Sequence, residues 1–149
     1  KIKKAKINVK VVGEEELTSK DFLSFKYVLF GLSALAVATS GSVTLELARS
    51  GTPMITGYRS GYAFEFLLKR FVTIDSANLI NIISNTKTVP EFLFEKCTAD
   101  NISDSIFELL NQPKLLLEQK ELQLQVIHKL LAGTGGPSQV AAKTVLGYI

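Results

Sequence analysis

The chain has 149 residues, of which 46% are hydrophobic and 21% are charged. This length suits one folded domain, and this amount of apolar material excludes an intrinsically disordered chain. The net charge of +3 does not indicate a nucleic-acid-binding face, because five of the 17 basic residues lie within the first ten positions.

The first predicted elements alternate between strand and helix. Residues 7–11 alternate between apolar and polar side chains, which predicts a strand near a sheet edge. Ser19 is a typical N-cap residue, and a helix is predicted over residues 20–32. Residues 34–38 are continuously apolar, which is typical of a strand that is covered on both faces in a parallel sheet.

The alternation continues into the middle of the chain. A turn at residues 39–42 separates the second strand from a helix predicted over residues 43–50. A strand is then predicted over residues 54–58, and an amphipathic helix over residues 62–71. Residues 72–89 show no clear period, and we expect a loop with short pieces of strand there.

From Pro90 onward the pattern predicts only helices, with Pro90 itself in a first helical turn. Thr98 and Pro113 are typical residues at helix starts, and the glycine-rich residues 133–136 form a flexible break. The predicted helices cover residues 99–111, 114–131 and 138–148.

The order of these elements predicts an α/β fold, in which helices flank a mostly parallel, Rossmann-like sheet and a helical tail follows. Residues 1–132 are expected to form the main domain, and residues 133–149 a hinge and a C-terminal tail helix. Parallel sheets of this kind bind ligands at the carboxyl ends of their strands. The turns that follow the strands are therefore the first places to look for a site.

The turn after the second predicted strand is rich in Gly, Ser and Thr. A helix N-terminus carries unpaired N–H groups and a partial positive charge, and both favour an anion such as phosphate. Gly41 allows a ligand to approach the backbone closely. Ser40, Ser42 and Thr44 add hydroxyl groups, and Glu46 suits the two hydroxyls of a sugar. Helix capping alone is the alternative explanation of these residue types.

Two motifs together resemble the C-terminal domain of the lipid-A-disaccharide synthase family. The motifs are ATSGSVTLELA at residues 38–48, with GTPM at 51–54 and YR at 58–59, and then NLINII at 78–83 with VPEFL at 89–93. The resemblance implies half of a two-domain glycosyltransferase of the B-type fold. That family joins UDP-2,3-diacylglucosamine to 2,3-diacylglucosamine 1-phosphate, and it produces lipid A disaccharide and UDP without a metal or other cofactor.

The resemblance also implies roles for individual residues. The UDP phosphates are expected against Ser40, Gly41, Ser42 and Thr44. Glu46 is expected to accept the ribose hydroxyls. Asn81, which belongs to the second motif, is expected to line the same cleft.

The resemblance further implies a peripheral protein on the cytoplasmic side of the inner membrane of Gram-negative bacteria. Separately, the helical tail after Pro90 suits packing on a second subunit in a homodimer. Two features depart from the family pattern. Ile80 stands where the family usually has Pro, and the upstream Pro-Gly-Ser-Arg segment and N-terminal domain are missing from this sequence. That domain is expected to carry the general base, so the chain alone is expected to be inactive.

Other functions fit parts of the sequence. The same domain type serves other UDP-sugar transferases and epimerases, and the helical tail is compatible with a non-catalytic dimerisation module. The apolar residues of the helix predicted over 62–71 are expected in the core, with a membrane-facing stripe as the alternative. The single histidine, His128, is expected at the surface or the edge of the core, and the single cysteine, Cys97, excludes an internal disulfide.

Overall fold

The computed structural model describes residues 10, 19–59, 61, 76–132 and 137–147 of the chain. They form an α/β fold, which confirms the predicted fold class. The strands are β1 (Ala36–Thr39), β2 (Met54–Tyr58) and β3 (Glu91–Leu93), and a 3₁₀ turn (Phe94–Lys96) follows β3. The helices are α1 (Ser19–Leu32), α2 (Val43–Arg49), α3 (Leu79–Ser84), α4 (Ala99–Asn111), α5 (Pro113–Leu131) and α6 (Pro137–Leu146).

Most of the predicted elements that fall within the described residues are present. Helices α1, α2, α4, α5 and α6 and strands β1 and β2 lie within two residues of their predicted bounds. Three predictions lie outside the described residues, namely the strand at 7–11, the helix at 62–71 and the break at 133–136.

The three described strands form one parallel sheet with the order β1-β2-β3. Thr39 of β1 lies beside Gly57 of β2, and Gly57 lies beside Phe92 of β3. The strands therefore end together, and the segments that follow them share the carboxyl edge of the sheet, where ligands bind in folds of this class.

The two faces of the sheet are covered differently. On one face a buried core forms from Leu47, Ala48, Met54, Ile80, Val89 and Val126. On the other face Gly57 lies against Cys97 and Ile102, which cover β2. Val37 of β1 is 52% exposed, and it borders an open cleft of about 300 Å³ that Ile106 of α4 also lines. The prediction that this strand is covered on both faces is therefore wrong.

Helix α3 forms where a loop with short strand pieces was expected. The side chain of Asn78 caps its first turn by accepting hydrogen bonds from the N–H groups of Ile80 and Asn81. Asn85 ends the helix in the left-handed conformation, with a φ of 53°. The six-residue helix is too short to show a helical period, so these two asparagines are its only local signals.

Strand β3 forms where Pro90 was expected to open a helix, and that prediction is wrong. The carbonyl of Pro90 accepts a hydrogen bond from the N–H of Thr56, and the pairing with β2 then continues through Glu91. At the start of the strand only the carbonyl of Pro90 joins the pairing with β2, so the N–H that a proline lacks is not required there.

Helix α5 is fastened to the start of β2 by Gln119, whose side chain is fully buried. Gln119 Oε1 accepts a hydrogen bond from the N–H of Met54 at 2.5 Å, and Nε2 donates to the Met54 carbonyl at 3.1 Å and to the Thr88 carbonyl at 3.2 Å. Gln123, one turn later, donates to Gln119 Oε1. The Gln119 amide therefore pairs with Met54 as a neighbouring strand would.

Candidate functional site

The turn between β1 and α2 is exposed, and hydrogen bonds from the buried residue Thr44 hold it in shape. Gly41 and Ser42 are exposed, and a methyl group added to Gly41 would meet no atom within 4 Å. Thr44 is fully buried, and both its hydroxyl and its N–H donate to the Gly41 carbonyl, at 2.7 and 3.1 Å. The Thr44 hydroxyl therefore holds the turn in shape and does not face solvent.

The backbone N–H groups of this turn fall into two sets. Those of Thr44, Leu45 and Glu46 donate to carbonyls of the turn itself. Those of the three residues at 41–43 donate to no acceptor in the described part of the chain. Ser42, the N-cap residue, has helical dihedral angles, and its hydroxyl makes no capping bond. The exposed tip therefore offers three amide donors and one hydroxyl to a ligand.

Glu46 lies on the side of α2 that faces α1. Its Oε2 atom is 2.6 Å from Nζ of Lys26, and the Glu46 side chain is 31% exposed. The same Lys26 ammonium lies 5.3 Å from the centre of the Tyr27 ring. A diol that binds Glu46 would therefore share the carboxylate with Lys26 or displace the Lys26 ammonium. The sequence alone did not indicate this ion pair.

Glu91, at the start of β3, links three segments of the site. Its Oε1 atom accepts hydrogen bonds from Ser40 Oγ and the N–H of Ala77, both at 3.0 Å. Its Oε2 atom accepts from Ser76 Oγ at 2.7 Å and from the Ala77 N–H at 3.1 Å. Sequence reasoning did not single out Glu91, because it assigned this position to a helix. The available signal for its role was that it is an acidic residue directly after Pro90 in the second motif.

Asn81 is buried, and both ends of its amide bind the backbone of Val89. Its Nδ2 atom donates to the Val89 carbonyl at 2.8 Å, and Oδ1 accepts from the Val89 N–H at 3.0 Å. Asn81 also borders a cleft of about 590 Å³, whose other lining residues include Ser76, Lys87, Pro90, Glu91, Phe94 and Lys96. Asn81 and Glu91 both line this cleft, and Glu91 also accepts a hydrogen bond from Ser40 in the turn after β1.

The predicted site residues are therefore only partly gathered. Four of them lie at one turn, namely Ser40, Gly41, Ser42 and Thr44. Glu46 points toward α1, and Asn81 lies in α3, where it binds the backbone of Val89 just before β3. Across the described ranges, no helix is both long enough and apolar enough to cross a membrane.

Comparisons with known proteins identify the chain's relatives. A family profile described as lipid-A-disaccharide synthetase matches residues 2–144. The lipid-A-disaccharide synthase of Bradyrhizobium diazoefficiens is 35% identical over 136 residues, which are 91% of this chain and 32% of that protein. The enzyme of the same name from Rhodospirillum centenum is 37% identical over 124 residues, which are 83% of this chain and 31% of that protein. The chain thus spans about a third of the length of these curated relatives.

Proposed function

Because the chain belongs to the lipid-A-disaccharide synthetase family, we propose that it is the nucleotide-sugar-binding part of a hexosyltransferase. The donor is UDP-2,3-diacylglucosamine, the acceptor is 2,3-diacylglucosamine 1-phosphate, and the products are lipid A disaccharide and UDP. In this proposal residues 1–132 hold the UDP portion of the donor, and residues 133–149 form a hinge and tail helix.

The exposed turn after β1 is the observation that supports this proposal most directly. It lies at the carboxyl edge of a parallel sheet, and its three amides at residues 41–43, which have no acceptor among the described residues, favour a ligand rich in acceptor oxygens. The diphosphate of UDP accepts hydrogen bonds from these amides and from the Ser42 hydroxyl. Ser40 and Thr44 border the same turn, and the Thr44 hydroxyl supports it from below.

The remaining proposed contacts concern the ribose and the cleft. Glu46 accepts the two ribose hydroxyls, and Lys26 shifts to share the carboxylate. Asn81 shapes the cleft by holding Val89, which leads into Pro90 and Glu91.

We extend the proposal to the site of action, the cytoplasmic side of the inner membrane. Both substrates carry acyl chains, so the reaction takes place where those chains are held in lipid. Helix α6 offers exposed apolar side chains, including Val140, Val145 and Leu146, for contact with the membrane surface or a second copy of the chain.

Replacing Gly41 by Ala tests the phosphate site without disturbing the fold. The added methyl group meets no protein atom within 4 Å, so the midpoint of thermal unfolding should stay unchanged. The methyl group stands where the diphosphate must approach, so we expect the Kd for UDP to rise by about tenfold or more. NMR titration of the ¹⁵N-labelled chain with UDP measures this, and the amides of residues 41–43 should shift most.

Gly61→Ala is the matched control, because its methyl group also enters open space. It should leave UDP affinity unchanged. Equal affinity in the wild type and Gly41→Ala, or shifts confined to other parts of the chain, would contradict the proposed phosphate site.

Glu46 is tested by comparing UDP with 2′-deoxy-UDP. A hydrogen bond to a charged group contributes about 1.5–3 kcal/mol, so the wild type should prefer UDP by about tenfold or more. Glu46→Gln should remove most of that preference. The control is Glu118→Gln, which removes the carboxylate of the exposed Lys114–Glu118 ion pair and should keep the preference intact. A wild-type protein that binds both nucleotides equally rules out the ribose role.

A further inference from the structure

The carboxylate of Glu91 is saturated by the protein itself. A carboxylate offers about four acceptor positions, and the bonds from Ser40 Oγ, Ser76 Oγ and the Ala77 N–H, which reaches both oxygens, fill them. Glu91 is therefore not available to bind a ligand directly. Its hydrogen bonds instead connect the end of β1 to β3 and to the segment that leads into α3.

Ser40 is the only one of these partners that belongs to the exposed turn. A hydroxyl has one proton to donate, and that of Ser40 is donated to Glu91. Ser40 therefore presents only acceptor lone pairs to a ligand. Its own N–H donates to the Gly57 carbonyl, so the residue is fixed at both ends.

The negative charge of Glu91 makes the two sides of the turn differ in how they interact with an anion. A phosphate in contact with Ser40 Oγ would find no proton to accept there, and it would lie close to a carboxylate of like charge. The amides of residues 41–43, which donate to no acceptor within the described ranges, carry the opposite partial charge and lie farther along the turn. The turn thus has a side that repels an anion and a side that attracts one.

We propose that Glu91 is a positioning residue of the nucleotide site, which fixes the turn through Ser40 and directs the diphosphate to the amides of residues 41–43. This inference rests on the proposed function, because it gives Glu91 a part in UDP binding. It also revises the expected role of Ser40, which becomes the link between Glu91 and the turn and not a phosphate donor.

A pair of matched substitutions in the full chain separates positioning from simple support of the fold. Ser40→Ala and Ser76→Ala each remove one hydrogen bond to the same carboxylate, but only Ser40 belongs to the turn. We expect Ser40→Ala to raise the Kd for UDP about fivefold to tenfold, and Ser76→Ala to leave it within about twofold of the wild type. Ser40→Thr keeps the hydroxyl and should restore the wild-type value.

Glu91→Ala completes the test, because it removes both carboxylate oxygens and with them the acceptor of the Ser40 hydroxyl. We expect it to weaken UDP binding at least as much as Ser40→Ala does, and the double variant should be no weaker than Glu91→Ala alone, because both changes break the same hydrogen bond. Equal effects of Ser40→Ala and Ser76→Ala, or additive effects in the double variant, would overturn the inference while UDP binding by the wild type stands. No UDP binding by the wild type would overturn the proposed function and this inference together.

Discussion

Replacing Gln119 by Leu should lower the free energy of unfolding by about 3–5 kcal/mol. The pairing of β2 with β3 begins at Thr56, so no described strand lies beside Met54 on that side of the sheet. The Gln119 amide takes that place by binding both backbone groups of Met54 and the Thr88 carbonyl. Leu fills a similar volume but leaves the two buried groups of Met54 and the part-buried Thr88 carbonyl without the Gln119 amide, and each orphaned buried group costs about 1–3 kcal/mol.

Chemical denaturation followed by circular dichroism measures this loss. Gln125→Leu is the matched control, because Gln125 lies on the same helix but is exposed. It should change the free energy of unfolding by less than about 0.5 kcal/mol. Similar unfolding midpoints for the two variants would show that the Gln119 bonds add little to the stability of the fold.

The parts of the fold that the sequence predicted are those with strong local signals. Helix α4 follows the capping residue Thr98, and α5 begins at Pro113. Strand β2 shows as a short run of strand-forming residues before the helical pattern resumes. Because these signals lie within each element, they could be read without knowledge of the contacts between elements.

The missed elements depend on partners that are distant in the sequence. Strand β3 has three residues and becomes a strand only because Pro90 and Glu91 pair with β2, more than 30 positions earlier. Helix α3 has six residues and depends on Asn78, which is buried and also binds Thr56. No window of local sequence contains both members of these pairs.

The candidate site likewise has features that could be predicted from local sequence and features that depend on distant partners. The turn with Gly41 and Ser42 could be recognised from residue types at a strand-to-helix junction. The partners that define its chemistry could not, since 51 positions separate Ser40 from Glu91 and Lys26 approaches Glu46 from another helix. The expectation that Ser40 donates to a phosphate rested on residue type, whereas its hydrogen bond to Glu91 depends on the tertiary structure.

Replacing Asn81 by Leu should lower the free energy of unfolding by about 2–4 kcal/mol. Asn81 binds both the N–H and the carbonyl of Val89, which are buried and lead directly into Pro90 and Glu91. Leu leaves both backbone groups without a partner, and it also releases the segment that carries Glu91 into place.

Thermal and chemical unfolding of Asn81→Leu should be compared with those of Asn111→Leu. Asn111 also donates to a backbone carbonyl, that of Phe107, but it is exposed, so water can replace the lost bond. We expect the Asn111 variant to lose less than about 0.5 kcal/mol. Comparable losses would mean that the Val89 backbone finds other partners, and that Asn81 is free to contact a ligand in the cleft it borders. A large loss confined to Asn81→Leu would instead mean that its place in the second motif reflects support of β3, through which it acts on the turn at residues 40–44.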